Sequence, residues 1–242
     1  MIRWTYAFID RPAAHADAAR AFWTAVTDTR LSAPRGDDGE FATLLPPSGD
    51  AYVKFQAVRE GGGAHLDFAV EDPEAFAAHA VAVGARRVAV HDGWTVLASP
   101  AGLAFCAVPW HGEARRPAPV PGLGMLDQVC LDIPERLFDA EAAFWPALTG
   151  WETGPGALPE FRWLRQPPGL PLRILLQRLT SPTDTPGAHI DLACGTDTEA
   201  IATAHEKLGA TRSSVGTHWL VMRDPSNTEY CLTARDPNTG AR

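Results

Sequence analysis

The chain has 242 residues, of which 45% are hydrophobic and 21% are charged, and its formal net charge is -8 at pH 7. This composition is typical of a globular protein, and the negative charge argues against nonspecific binding to nucleic acid or anionic lipid. No hydrophobic run reaches the length of a membrane span, and the sequence starts without a signal-peptide pattern, so we expect a cytoplasmic protein.

The chain contains two copies of one unit, recognised from a strand-like segment that occurs twice. Residues 64–70 read Ala-His-Leu-Asp-Phe-Ala-Val, and residues 188–194 read Ala-His-Ile-Asp-Leu-Ala-Cys. The landmarks around both segments recur in the same order, which argues against a chance match. We predict one domain over residues 1–110, a proline-rich linker over 111–124, a second domain over 125–235 and a tail over 236–242. The recurring landmarks include Phe22-Trp23 and Phe144-Trp145, Gln56 and Gln177, Trp94 and Trp219, and Cys106 and Cys231.

The hydrophobic pattern predicts the same order of elements in each copy. A strand is followed by a helix and short strands, then by a second strand, helix and strands. In the first copy we predict helices over 13–27 and 73–83 and strands over 4–10, 41–45, 52–58, 64–70, 87–90, 93–98 and 103–108. In the second copy we predict helices over 137–148 and 198–208 and strands over 126–133, 161–165, 172–179, 189–194, 211–215, 218–222 and 229–233.

This order of elements predicts an α+β fold. It corresponds to four βαβββ modules in tandem, which we expect to form two curled mixed β-sheets with helices on the outer face. A curled sheet would leave one concave, open face, lined by every second residue of each strand. The four cysteines lie in hydrophobic strand-like runs without CxxC spacing, so we expect reduced, buried thiols.

Alternation along the repeated strand assigns its polar side chains to the open face. Leu66 and Phe68 share the face that we expect to pack on the helices, which leaves His65 and Asp67 on the other side. The same rule, applied to both copies, gives a set of candidates for the open face: His65, Asp67, Gln56, Trp94 and Cys106 in the first copy, and His189, Asp191, Gln177, Trp219 and Cys231 in the second.

The repeated βαβββ pattern and the His-x-Asp strand resemble the vicinal oxygen chelate superfamily. That superfamily includes glyoxalase I, bleomycin-resistance proteins, fosfomycin-resistance enzymes and extradiol dioxygenases. Its little-characterised glyoxalase-like branch is the part that the sequence resembles in more detail. Because one fold hosts many chemistries, the resemblance implies the fold more strongly than the function. The matching residues are Phe55-Gln56, His65-Leu66-Asp67, Phe105-Cys106, and the turns at Pro100 and Pro225.

The resemblance also implies where a metal ion would bind. Metal enzymes of the superfamily hold one divalent ion between side chains of the first, fourth, fifth and eighth strands. Both copies have Cys in place of the Glu expected on the eighth strand, and one imidazole with neutral amides is a poor ligand set for a hard cation. We therefore expect no metal cofactor, with a divalent metal ion as the alternative. The positions carried over are Thr5, Gln56, His65 and Cys106 in the first copy, and Gln128, Gln177, His189 and Cys231 in the second.

Glu229 is the one carboxylate that could substitute for the missing eighth-strand ligand. It lies two residues before Cys231 and therefore on the same face of the strand. If an ion binds, we expect the second copy to hold it, with four ligands: His189, Gln128, Gln177 and Glu229.

Two functional hypotheses follow from these residues. In the first, the protein binds a small organic molecule without a metal, as bleomycin-resistance proteins do. In the second, it is a lyase, isomerase or dioxygenase that uses a metal, or that uses His65 with Asp67 or His189 with Asp191 as a general base. A purely structural role for these pairs stays open, and the protein can be a monomer or a homodimer. The ligand-binding candidates are Gln56, Trp94, Cys106, Gln128, Gln177, Trp219 and Cys231.

Overall fold

The structure is a computed structural model that describes residues 1–180 and 185–240. The first copy contains two βαβββ modules: β1 (Ile2–Pro12), α1 (Ala16–Val26), β2 (Arg30–Leu31), β3 (Phe41–Leu45) and β4 (Val53–Val58), then β5 (Gly63–Val70), α2 (Pro73–Ala82), β6 (Arg86–His91), β7 (Trp94–Ala98) and β8 (Ala104–Pro109).

The second copy repeats both modules. They are β9 (Met125–Pro134), α3 (Glu135–Thr149), β10 (Glu152–Pro155), β11 (Phe161–Arg165) and β12 (Arg173–Leu179), then β13 (Gly187–Ala193), α4 (Thr198–Lys207), β14 (Thr211–Val215), β15 (Trp219–Arg223) and β16 (Glu229–Thr233). Short 3-10 turns precede α1 and α4.

The strands form two eight-stranded sheets with the same strand order. The orders are β2-β3-β4-β1-β5-β8-β7-β6 and β10-β11-β12-β9-β13-β16-β15-β14. β5 pairs with β8 in parallel and β13 pairs with β16 in parallel, whereas the β7–β8 and β15–β16 pairs are antiparallel, so both sheets are mixed. This topology confirms the predicted α+β class with tandem βαβββ modules.

Two strands were not predicted from the sequence. Arg30–Leu31 forms the short edge strand β2, which pairs with β3, and Glu152–Pro155 forms β10, which pairs with β11. The first is too short to show alternation, and the second contains Gly and Pro, which are rare in strands. Each supplies the first of the three strands that follow the helix of its module.

Residue choice at the helix ends explains where two helices begin and end. The Asp72 side chain accepts a hydrogen bond from the Ala75 amide at 2.9 Å, and Pro73 occupies the first turn of α2, where its missing N–H is not needed. Gly150 ends α3 in the left-handed conformation, with φ at 69°, which glycine adopts without steric cost.

Packing divides the chain into two compact units that differ from the two sequence copies. The first unit comprises Met1–Ala7, His65–Ala114 and Val129–Ala188, and the second comprises Phe8–Ala64, Arg115–Gln128 and His189–Arg242. Each unit therefore combines one module from each copy.

In each unit, a helical Phe-Trp pair lies in the core. Trp145 of α3 packs against Phe105 in the first unit, with ring centroids 5.4 Å apart. In the second unit, Phe22 and Trp23 of α1 pack against Tyr230 at 5.9 and 5.1 Å. Both α1 residues are buried.

The indole N–H of Trp23, and likewise that of Trp145, donates to a buried carboxylate. In the second unit, Trp23 donates to Asp224 at 2.8 Å, and Arg11 also donates to Asp224 at 2.5 Å. Burial alone would raise the pKa of Asp224, but the charge of Arg11 and the hydrogen bonds hold that pKa below its usual value.

In the first unit, the acceptor is Glu141 of α3. It accepts from Trp145 at 2.6 Å and from the Ala101 amide at 2.7 Å. Burial raises the pKa of Glu141 above its usual value, and the hydrogen bonds only partly offset the effect. The two carboxylates thus accept the same indole hydrogen bond, but their pKa values are shifted in opposite directions.

Three further features bear on the expectations from sequence. All four cysteines are buried and none of them is in a disulfide, as predicted. Asp236, at the start of the predicted tail, closes a turn by accepting from the Asn238 and Thr239 amides at 2.9 and 2.8 Å, while residues 241–242 lie outside the described part. Among the described residues, no helix has both the length and the hydrophobicity to cross a membrane.

Candidate functional site

In the first unit, His65, Asp67 and Cys106 form a cluster that we call the first cluster. β5 carries His65 and Asp67 on one face, and the parallel β8 brings Cys106 opposite Asp67. One donor atom from each residue lies within 4.8 Å of the other two. His65 Nε2 is 3.8 Å from Asp67 Oδ1, and the imidazole is 14% exposed, so a small molecule can reach it.

In the second unit, His189, Asp191 and Cys231 form the second cluster in the same way. Asp191 is in register with Cys231 across the parallel β13–β16 pair. His189 Nε2 lies 3.3 Å from Asp191 Oδ1 and 3.5 Å from Cys231 Sγ. Both neighbours therefore face the same ring nitrogen. A thiol–imidazole–carboxylate relay would use both ring nitrogens, so this geometry instead suits three donors around a common point.

A buried polar network surrounds the carboxylate of the second cluster. The side-chain amide of Gln128 donates to Asp191 Oδ2, and Arg235 Nη1 lies 3.9 Å from the same oxygen. Arg235 also donates from Nε to Asp127 Oδ2 at 3.2 Å and from Nη2 to Asp127 Oδ1. Burial would lower the pKa of Arg235, but Asp127 and then Asp191 keep it above its ordinary value.

The corresponding positions of the first unit carry different residues. β1 and β9 both end at a proline, and counting back from these prolines matches Gln128 with Tyr6 and Asp127 with Thr5. Sequence reasoning had matched Gln128 with Thr5, and a shift by one residue moves a strand side chain to the opposite face. Tyr6 donates to Glu113 Oε1 at 2.6 Å, and Trp110, in the position of Arg235, donates to the Glu113 carbonyl at 2.9 Å.

The tryptophans Trp94 and Trp219 lie on the same sheet face as their clusters. Val96 is opposite Cys106, so Trp94, two residues earlier in β7, shares that face. The ring of Trp94 stacks on His91, with centroids 4.0 Å apart. Trp219 has the same relation to Cys231 in β15. Its ring lies over Gly216, where an added Cβ would come within 2.1 Å of it.

The remaining candidates make contacts with other residues. Gln56 belongs to β4 of the second unit, where it pairs with Phe41. Gln177 belongs to the first unit and accepts from Cys130 Sγ at 3.6 Å. Glu229 is half-exposed, forms an ion pair with Arg223 at 3.0 Å and accepts from Ser213 at 2.8 Å. The second cluster is thus completed by Asp191 and does not include Glu229.

Sequence reasoning missed Asp127 and Arg235. An acidic residue within the hydrophobic run of β9 was the available signal for Asp127, because a buried carboxylate needs a partner. Arg235 lies beyond the end of β16, where strand alternation no longer indicates direction. Its pairing with Asp127 depends on the tertiary structure.

The second unit also contains a hydrophobic groove whose lining does not include the residues of its cluster. It encloses about 390 Å³, including its open mouth, and its lining contains Tyr52, Val53, Met125 and Leu126. The Tyr52 hydroxyl already donates to the Leu126 carbonyl at 2.8 Å, which leaves the groove with little polar recognition. The clusters are therefore the better candidate site.

The donor set of the second cluster fits a zinc-type ion. Ligand distances of about 2.0 to 2.3 Å in a tetrahedral site place the donor atoms about 3.3 to 3.6 Å apart. The separations of 3.3 and 3.5 Å around His189 Nε2 match this range, and one imidazole, one thiolate and one carboxylate leave a fourth position open. A thiolate does not suit a hard cation, and a single His differs from the two-His, one-carboxylate set of iron oxygenases.

The mixed sheets of tandem βαβββ modules are the fold that the resemblance to the vicinal oxygen chelate superfamily implies. Within it, the chain belongs to the family described as the glyoxalase-like domain, whose sequence model matches residues 6–108 and 128–233. No curated protein matches the chain.

Solved structures of similar fold include several dioxygenases. A mutant of 4-hydroxymandelate synthase from Streptomyces coelicolor is 15% identical with a TM-score of 0.61, covering 98% of this chain and 92% of that one. The 2,2',3-trihydroxybiphenyl 1,2-dioxygenase from Sphingomonas wittichii is 12% identical with a TM-score of 0.61, and the match covers 94% of this chain and 88% of that one. An extradiol ring-cleaving dioxygenase from B. fuscum is 14% identical with a TM-score of 0.64, and the match covers 96% of this chain and 71% of that one. At these identities the likeness concerns the fold alone.

Proposed function

We propose that the protein is a metal-dependent lyase or isomerase that acts on a small organic molecule, with a zinc-type ion held by the His-Asp-Cys clusters. The observation that carries the proposal is the convergence of three different donor atoms in both units, with one imidazole nitrogen facing the other two in the second cluster. Three protein ligands and one open position are typical of catalytic zinc sites, whereas structural sites use four.

The ligands in this proposal are His65, Asp67 and Cys106 in the first unit and their counterparts in the second. A bound ion of this kind polarises a carbonyl or hydroxyl oxygen of the substrate. The donor set favours such Lewis-acid chemistry over oxygen activation, which the two-His, one-carboxylate set serves. The imidazoles are 14% and 17% exposed, so a substrate oxygen can approach them.

The tryptophans supply the hydrophobic part of the proposed site. Trp94 and Trp219 share the sheet face of their clusters and are partly exposed, so they can cover the hydrocarbon part of a ligand. Small-molecule sites combine such hydrophobic surface with a few polar groups.

The test is metal content by elemental analysis of protein purified without a histidine tag or chelator. We expect bound zinc in the wild type, and loss of one equivalent in each of the variants His65→Ala, Cys106→Ser, His189→Ala and Cys231→Ser. Glu229→Gln is the matched control, since Glu229 pairs with Arg223 outside the cluster and its loss should leave the metal content unchanged. Loss of metal in this control would favour the ligand set expected from sequence.

A second candidate is metal-independent binding of a small molecule. It is favoured by the 3.5 Å contact between Cys231 Sγ and His189 Nε2, because a thiol and an imidazole at that distance satisfy each other without an ion. Metal-free protein whose melting temperature does not respond to added zinc would support this candidate. A ligand screen by tryptophan fluorescence would follow, with Trp94→Phe and Trp219→Phe to assign the responding unit.

A further inference from the structure

We propose that the buried Arg235–Asp127 ion pair positions Asp191 as a metal ligand, so that the second cluster is pre-organised and binds the ion more tightly than the first. This inference rests on the proposed function. It concerns two residues outside the cluster that act through the carboxylate of Asp191.

The two oxygens of Asp191 have different surroundings. Oδ2 accepts from Gln128 and lies 3.9 Å from Arg235 Nη1, whereas Oδ1 faces His189 Nε2 at 3.3 Å. Holding Oδ2 fixes the rotation of the carboxylate about its bond to Cβ. Oδ1 is thereby directed toward the cluster as a single, oriented donor.

Arg235 is itself held rigidly by Asp127. The guanidinium donates through Nε and Nη2 to both oxygens of that carboxylate, a paired geometry that restricts its orientation. Asp127, Gln128 and Asp191 are each no more than 2% exposed, and Arg235 is 8% exposed. The network is therefore shielded from water, and its members lose little additional freedom when an ion binds.

Charge balance allows this arrangement beside a cation. An isolated guanidinium near the cluster would repel a divalent ion and weaken its binding. Asp127 neutralises Arg235, so the pair orients Asp191 without adding net charge to the site. Outer partners of this kind commonly contribute a factor of about 10 to 100 in metal affinity.

The first unit lacks the residues for the same device. Thr5 and Trp110 occupy the positions of Asp127 and Arg235, and Tyr6, in the position of Gln128, donates to Glu113. The separation from His65 Nε2 to Asp67 Oδ1 is 3.8 Å, longer than the 3.3 Å of the second cluster. We therefore expect the first cluster to bind its ion more weakly than the second cluster does.

The experiment measures zinc affinity in a His65→Ala background, in which only the second cluster remains. Asp127→Asn combined with Arg235→Met removes one positive and one negative charge together, so the net charge around Asp191 does not change. We expect the dissociation constant, measured by competition with a chromophoric chelator, to rise about 10- to 100-fold. Arg235→Lys keeps the charge but not the planar fork, and should restore part of the affinity.

A spectroscopic readout separates positioning from general loss of structure. Cobalt bound through Cys231 should show thiolate charge-transfer absorption in every variant, with a changed ligand-field spectrum when Asp191 is released. Trp110→Phe, at the matching position of the first unit, is the control that should change neither affinity nor spectrum. If the double variant does not fold, the test uses Arg235→Lys, for which we expect the zinc dissociation constant to rise about tenfold.

The two possible failures are distinguishable. Zinc affinity in the double variant equal to that of the His65→Ala parent would overturn this inference and leave the proposed function intact. A wild-type protein that binds no zinc would overturn both.

Discussion

The two units place the same core tryptophan on equivalent helices but satisfy its indole N–H with different residues. In the second unit the acceptor is Asp224, from the turn between β15 and β16, and it pairs with Arg11. In the first unit the acceptor is Glu141, from the helix of Trp145 itself, and it also accepts from the Ala101 amide and, within the described part of the chain, has no arginine partner among its hydrogen bonds. In both units the buried indole N–H has a carboxylate acceptor, but the acceptor comes from a different position in the chain.

The same contrast occurs at the clusters. His, Asp and Cys recur with the same register in both units, while the residues around the carboxylate differ. Gln128 and Arg235 contact Asp191, whereas Tyr6 and Trp110 of the first unit contact Glu113. What is common to both units is therefore the donor set, and what differs is the set of residues around its carboxylate.

Removing Arg11, the cation that pairs with Asp224, should have the largest effect on stability. Arg11→Met leaves Asp224 buried without its partner, and breaking a buried ion pair typically costs about 3 to 5 kcal/mol. We expect a loss of this size in the free energy of unfolding, measured by urea denaturation. Asp224→Asn combined with Arg11→Met should lose less, because no charge is left unpaired.

A surface arginine provides the control for this prediction. Arg212 pairs with Glu199 and Glu206 in solvent, so Arg212→Met should leave the denaturation midpoint almost unchanged. An equal loss in the Arg11 and Arg212 variants would contradict the importance that we assign to burial of the Arg11–Asp224 pair.

Much of the fold could be predicted because strand alternation and helical periodicity are local. The bounds of β3, β11 and β16, at Phe41–Leu45, Phe161–Arg165 and Glu229–Thr233, agree with the sequence prediction. The strands β2 and β10 could not be predicted, since their pairing partners determine them. The division into compact units also depends on long-range packing, which a repeat in the sequence does not encode.

The candidate site could be predicted only in its parts. Alternation along β5 selects His65 and Asp67 as open-face residues, and the same holds for Cys106 in β8. Their convergence depends on the parallel register of two strands that are far apart in the chain, which no local pattern reports. Charged residues such as Asp127 and Arg235 find each other through the same long-range packing.

The next largest effect on stability concerns the hydrogen-bonded pair His205 and Tyr230, which has no polar counterpart at the matching positions of the first unit. His205 Nε2 lies 3.1 Å from the Leu123 carbonyl and Nδ1 lies 2.9 Å from the Tyr230 hydroxyl, which assigns the proton to Nε2 and the O–H donor to Tyr230. The matching residues of the first unit are the buried Ala80 and Phe105. His205→Ala leaves the hydroxyl without its acceptor and should cost about 1 to 3 kcal/mol.

The combination of His205→Ala with Tyr230→Phe copies the first unit and should recover part of this loss. Burial lowers the pKa of His205, so the unfolded chain binds the proton more readily. The stability that depends on neutral His205 is therefore present above the unfolded pKa and is lost as the pH falls through about 6.5 and below. Both variants should lack this loss in urea titrations at a series of pH values.

The smallest effect is an opposite pH dependence of the two indole acceptors. The lowered pKa of Asp224 contributes stability above the unfolded value of 3.8 that is lost as the pH falls toward the folded pKa. The raised pKa of Glu141 contributes stability below the unfolded value of 4.5 that is lost as the pH rises through the folded pKa.

Asp224→Asn and Glu141→Gln separate these contributions, because neither amide titrates. Relative to wild type, the first variant should gain on acidification, and the second should gain as the pH rises above 4.5. The measurement is the difference in urea midpoint between variant and wild type from pH 3 to pH 7. Slopes of the same sign in both variants would show that the pairing with Arg11, present at one acceptor only, does not control the charge state of these carboxylates.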